Sequence, residues 1–158
     1  MLIIREASTP EDIFAVRELF LEYVNWLGED LSFQNFEHEL DTLPGDYIPA
    51  KRGALFLAEL DNDIVGCAAL HSCFGFHDIC ELKRAFVRPD ARGKKVGRTL
   101  VTTAMQRARE LGYKYMRLDT LPDRMTEAVD LYKKLGFYDI EAYRPNPWTD
   151  AAFMEAAL

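Results

Sequence analysis

Apolar positions recur along the chain with two different periods, and each change of period marks an element. Leu2 to Glu6 reads as a short strand. Thr9-Pro10-Glu11-Asp12 then supplies a cap, a first-turn proline and two carboxylates at the positive end of a helix. Ile13, Val16, Phe20, Tyr23, Val24 and Leu27 follow at helical spacing, and Gly28 ends the run. The stretch from Glu29 to Arg52 is mixed; a second helix is expected near Phe33 to Leu40 and a loop at Pro44-Gly45-Asp46.

Gly53 to Leu60 and Ile64 to Leu70 are apolar runs separated by Asp61-Asn62-Asp63, which predicts a hairpin. A loop around Phe74-Gly75-Phe76 leads into a third strand, Asp78 to Val87, ended by Pro89 and Asp90. Gly97, Leu100, Val101, Ala104, Ala108 and Leu111 form the apolar stripe of a helix that Gly112 closes. Tyr115 to Thr120 is a strand, and Leu121-Pro122-Asp123 turns into a helix carrying Ala128, Leu131, Tyr132 and Leu135 before Gly136. Phe137 to Tyr143 and Ala152 to Ala157 are expected as closing strands around a Pro145-Asn146-Pro147-Trp148 loop. The sum is an α+β protein with a mixed sheet, in the order β-α-(α)-β-β-β-α-β-α-β-β, read as one domain over residues 1–158.

Composition narrows the function classes. A hydrophobic fraction of 49% with 28% charged residues is ordinary for a globular chain. The start lacks the basic segment and long apolar stretch of a signal peptide, and Ile64 to Leu70 is far shorter than the ~20 residues of a membrane helix. A soluble cytoplasmic protein is therefore expected, with no membrane partner. Cys67, Cys73 and Cys80 form no C-x-x-C pair, and His38, His71 and His77 are not clustered, so neither a disulfide framework nor a metal is expected. The formal net charge of -7 repels phosphate backbones and disfavours nucleic acid as a partner, while tolerating a cationic small molecule.

The most informative stretch runs from Glu81 to Arg98. A strand ends, a basic turn containing Gly93 follows, and a helix begins near Gly97. The unpaired N–H groups and positive dipole end of such a helix form an anion site. Gly93 and Gly97 allow close approach of the backbone, and Arg92, Lys94, Lys95 and Arg98 surround it with positive charge. A diphosphate ligand is one reading; a solvated basic turn capping a helix is the other. Neither the P-loop pattern nor G-x-G-x-x-G is present.

At these residues the chain resembles the GCN5-related N-acetyltransferase (GNAT) superfamily. Val87, Pro89, Arg92 and Gly97 match its acetyl-CoA motif, with Lys95 where the first motif glycine usually stands. Ala128, Leu131, Tyr132, Gly136 and Phe137 match its second motif, with Met125 in place of a frequent asparagine. The resemblance covers the element order from end to end. It implies acetyl-CoA as cosubstrate: Ala85 and Val87 would pair with pantetheine through their backbone, and the backbone of Arg92, Gly93, Lys94, Lys95, Val96, Gly97 and Arg98 would hold the pyrophosphate.

The same resemblance places Tyr132 as the acid that protonates the departing thiolate, a task suited to a phenol of pKa about 10 beside a thiol near 8.5. A core tyrosine is the plainer alternative. Glu81 stands at the spacing of the general base in the histone-acetylating branch, and equally suits a salt bridge with Lys83, Arg84 or a neighbouring strand. A water chain is the other proton path. The acceptor, an amine of a small molecule or peptide, would be framed by residues 26–47 and 144–150. Trp26, Phe33, Tyr47, Tyr143 and Trp148 are candidate walls, and Glu29, Asp30 or Asp46 candidate cation attractors. A homodimer is compatible with this picture. The rival classes are a non-catalytic acyl-CoA-binding sensor or regulatory module, and an interaction domain that binds no CoA.

Overall fold

The computed structural model describes residues 1–28, 30–31 and 35–158, and every structural statement below concerns these. The elements run β1 (Leu2–Glu6), α1 (Pro10–Leu27), α2 (Phe36–Thr42), β2 (Ala54–Leu60), β3 (Asp63–Ser72), β4 (Ile79–Val87), α3 (Val96–Glu110), β5 (Tyr115–Thr120), α4 (Thr126–Lys134), β6 (Tyr138–Ile140) and β7 (Ala152–Ala157). They form a seven-stranded sheet in the order β1-β2-β3-β4-β5-β7-β6, antiparallel except for the parallel pair β4–β5.

Local chemistry explains the boundaries. At the start of α1 the Thr9 side chain accepts the Asp12 N–H at 3.1 Å, while the Asp12 carboxylate accepts the Ser8 and Thr9 N–H groups and pairs with Arg5. Gly28 takes φ +71 and closes the helix. The turn between β2 and β3 has positive φ at both Asp61 and Asn62, the geometry that matches the twist of a hairpin. The expected helix near Phe33 to Leu40 is Phe36–Thr42; Phe33 itself lies outside the described residues. The expected closing strand from Phe137 to Tyr143 shortens to Tyr138–Ile140, because from Glu141 onward the chain leaves the sheet to carry Tyr143 and Arg144 over the centre of the molecule.

Apolar side chains fill both faces of the sheet. α3 lays Val96, Leu100, Val101, Ala104, Met105 and Ala108 against one face, joined by Tyr132 of α4. Val16, Leu19, Phe20 and Leu27 of α1, with Phe36 and Leu40 of α2, cover part of the other. On that second face the register lines up a polar row across five strands: His71, Glu81, Arg117, Glu155 and Tyr138.

The row marks a fork. β4 and β5 pair at Ile79–Tyr115, Cys80–Met116 and Glu81–Arg117, and beyond that register they part. β4 also bulges against β3 there, with Arg84 at φ +58. Such a residue is rare outside glycine, and Arg84 is held by two bonds to the Glu39 carboxylate, at 3.0 and 3.3 Å.

Candidate active site

The fork opens into a cleft of about 720 Å³ between β4, α3 and α4. Ala85 and Val87 line it from the strand, and Arg92, Gly93, Lys95, Val96, Gly97 and Arg98 from the turn and helix start. Lys94 is absent from the lining. The first helical bond of α3 runs from the Thr99 N–H to the Lys95 carbonyl at 3.1 Å, and no side chain caps the helix. Helix geometry therefore leaves the N–H groups of Val96, Gly97 and Arg98 without partners inside the helix. With the dipole end they make this the anion-binding end of the cleft.

Lys95 answers what replaces the usual glycine. It adopts φ 64 and ψ 15, the left-handed conformation that glycine takes without a Cβ penalty, so a side chain there is held at some strain. A Cβ on Gly97 would meet Val87 and Leu131 only at ordinary contact distances of 3.7 and 3.8 Å. Arg92 is anchored by the protein itself: its Nε donates to the Val87 carbonyl at 3.0 Å, and its guanidinium lies 4.5 Å from the Trp26 ring centre. Trp26, expected at the acceptor, thus lines the same cleft as the basic turn, as do Arg124 and Glu127.

A second, inner cavity of about 40 Å³, room for a few waters, adjoins the cleft. Tyr23, Ala85, Met125 and Tyr132 line both, so they form the shared wall. Lys83, Asp119, Asn146 and Trp148 complete the polar side of the inner cavity. Tyr132 is 7% exposed, and burial is the largest of the influences that push its phenol pKa upward. Burial likewise lifts Tyr23 to about 12. Both phenols therefore hold their protons at neutral pH.

Glu81 lies behind this wall, 1% exposed, and lines neither the cleft nor the inner cavity. Its carboxylate accepts bonds from His71 Nε2 at 3.1 Å, Tyr143 Oη at 2.5 Å and Arg144 Nη1 at 2.8 Å. Burial pushes its pKa up, but the His71 hydrogen bond and the charges of Lys83 and Arg144 outweigh it and hold it at about 2. The geometry is that of an ion-paired anchor, hydrogen-bonded to β3 and the β6–β7 loop, with the charge of Lys83 close by.

The remaining candidates are spread out. Tyr47 donates to Glu39 at 3.0 Å and, with Asp46, His71 and Lys83, lines a third cavity of about 410 Å³ under α2. Asp30 is exposed, and Glu29 and Phe33 lie outside the described residues. Sequence reasoning missed Lys83 as a cavity residue, Asp119 and Arg144; the β4–β5 register and the β6–β7 loop lying against it bring them together. The three cysteines are buried free thiols, and burial raises the pKa of each.

Comparison with known proteins decides the family. The model of the acetyltransferase (GNAT) family matches residues 15–137. The chain belongs to the GNAT family. It is 38% identical over 155 residues to an uncharacterized N-acetyltransferase of Schizosaccharomyces pombe, covering 98% of this chain and 94% of that one. A GNAT acetyltransferase structure from Staphylococcus aureus superposes with a TM-score of 0.78 at 22% identity, covering 99% of each chain. The Salmonella typhimurium protein YncA, solved with its cofactor acetyl-CoA, gives 0.74 at 21% identity, covering 99% of this chain and 93% of that one. These two likenesses speak to the fold, which is the mixed α+β sheet expected. Among the described residues no helix is long and apolar enough to cross a membrane.

Proposed function

We propose that this GNAT domain transfers an acetyl group from acetyl-CoA to an amine of a small molecule or peptide, by direct attack of the amine on the thioester. The observation that carries the reading is the shared wall: Tyr132 lines both the cleft that runs from the α3 N-terminus and the inner cavity beside Lys83 and Asp119. The pyrophosphate would accept the Val96, Gly97 and Arg98 N–H groups, and the pantetheine would run along Ala85 and Val87 towards Tyr132.

The inner cavity then receives the amine. Its nitrogen forms a bond to the thioester carbon, the carbon–sulfur bond breaks, and the sulfur takes a proton from the Tyr132 phenol. Burial keeps the phenol protonated at neutral pH but also makes it a weaker acid, so the proton passes to sulfur only as the carbon–sulfur bond breaks and negative charge builds there.

A panel of primary amines with acetyl-CoA, read by free-thiol release, tests the proposal. Amine-dependent thiol release supports it. Tight acetyl-CoA binding without release by any amine would instead point to a non-catalytic sensor.

A further inference from the structure

Acetyl transfer to an ammonium needs a group that removes its proton, since an unperturbed alkylamine has a pKa near 10.4. Glu81 is poorly suited: its lone pairs are engaged by three donors, and at about 2 its pKa lies roughly eight units below that of the proton it would take. Lys83 stands two residues further along β4. It lines the inner cavity with Tyr132 and Asp119, and it also lines the cavity under α2, where His71, Glu39 and Tyr47 are found. One residue thus lines both the cavity proposed to receive the amine and the cavity under α2.

The charges around it suit a proton that comes and goes. From β4 itself Glu81 and Arg84 face Lys83, from β5 Asp119, and from the β6–β7 loop Arg144. Arg84 is bonded to Glu39 of α2, and Arg144 bridges Glu81 and Asp119, at 2.6 and 2.9 Å. With Lys83 neutral, Arg84 and Arg144 face Glu39, Glu81 and Asp119, which leaves one net negative charge among these described residues. The cavity under α2 adds His71, His38, Asp46 and Lys51, the last two paired at 3.1 Å; the inner cavity adds only the phenols of Tyr23 and Tyr132. An incoming ammonium offsets that charge, and passing its proton to Lys83 leaves the total unchanged.

We propose that Lys83 is the proton acceptor of the acetyl transfer, set in the wall between the inner cavity and the cavity under α2, with Glu81 as its fixed counter-charge. This rests on acetyl transfer at the site described above. The neutral Lys83 amine takes a proton from the acceptor ammonium, giving a free amine and the Lys83 ammonium. The free amine attacks the thioester, the carbon–sulfur bond breaks as the sulfur takes the Tyr132 proton, and the second amine proton, lost as the amide forms, restores the Tyr132 phenol. The Lys83 ammonium then gives its proton to water through the cavity under α2. Burial, reinforced by the Arg84 charge and opposed by Glu81, brings the Lys83 pKa down to about 8, close to the pH at which a general base works best.

Two measurements test it. In protein labelled with ¹³C at the lysine ε-carbons, the Lys83 signal, assigned by its loss in Lys83→Arg, should titrate with a midpoint near 8. A midpoint above about 10 overturns the proposal whatever the acceptor is. Arginine keeps the positive charge but cannot release its proton, so Lys83→Arg should lower kcat by roughly 10²–10⁴-fold with the best amine of the panel. The acetyl-CoA Kd should be unchanged, and the residual rate should climb with pH towards the pKa of the amine itself. Unchanged kcat in Lys83→Arg makes Lys83 a mere charge and overturns the proposal. Absence of turnover with every amine in the wild type overturns the transfer reading itself, and this one with it.

Discussion

Arg144 Nη1 lies 2.8 Å from one carboxylate oxygen of Glu81 and 2.6 Å from the other, tying the β6–β7 loop to the middle of the sheet. With Glu81 buried, this anchor makes stability sensitive to acid. The folded pKa of about 2 is below the ordinary value of 4.5. The folded carboxylate therefore contributes its stabilisation fully above pH 4.5 and loses it as pH falls towards 2. At 1.36 kcal/mol per unit the loss amounts to about 3 kcal/mol. Glu81→Gln should be less stable than wild type at neutral pH, and should lose less on acidification across that window. Parallel denaturant titrations from pH 6 to 2 measure both; equal acid slopes would show that Glu81 is not held as an ion.

Gly97 separates shape from charge at the anion end of the cleft. Ordinary contact distances around its missing Cβ mean that Gly97→Ala should fold normally and melt near wild type. Gly97→Asp adds a negative charge at the helix N-terminus where the phosphates would bind, and should raise the acetyl-CoA Kd about tenfold or more. Calorimetric titration of both variants checks this, and equal affinities would remove the phosphate reading.

Tyr132→Phe deletes one hydroxyl from the wall shared by the cleft and the inner cavity. Acetyl-CoA affinity should hold while kcat falls by roughly 10²–10⁴-fold. An unchanged kcat at optimal pH would make Tyr132 a packing residue, in keeping with its ring contact to Phe137 at 5.5 Å.

Lys95 holds a left-handed backbone at the N-terminus of α3. Lys95→Gly removes the Cβ strain, at 1–2 kcal/mol, and adds back about 0.5–1 kcal/mol of unfolded-state entropy. The net effect should be a gain of about 1 kcal/mol or slightly less in denaturant unfolding. A loss of stability would mean that the Lys95 side chain contributes more than its backbone costs.

The fold is well legible in the sequence, and the strand–turn–helix that lines the large cleft nearly as well, because both depend on local signals. Thr9 with Asp12 caps α1, Asp61-Asn62 turns the hairpin, and the strand–turn–helix from Ala85 to Arg98 is contiguous in the chain. The inner cavity is assembled otherwise. Its residues Lys83 and Asp119 come from β4 and β5, and Asn146 and Trp148 from the β6–β7 loop, so strand register and loop packing set them side by side. A one-residue shift of register would send Glu81 and Lys83 to the α3 face. Trp26 shows the same limit: helical spacing puts it near the end of α1, but only the packed structure reveals Arg92 stacked on it at the cleft. Tyr143 was expected in a strand, and it is instead a loop residue whose hydroxyl completes the Glu81 anchor.

Acetyl transfer itself is tested most directly by following both products of a single reaction. With acetyl-CoA labelled at the acetyl carbonyl and an amine chosen from the panel, free CoA and N-acetylated amine should form in a one-to-one ratio, at a rate proportional to enzyme. The Tyr132→Phe enzyme should slow both equally. Free CoA without acetylated amine, or no release of CoA from a protein that binds acetyl-CoA, would contradict the transfer reading.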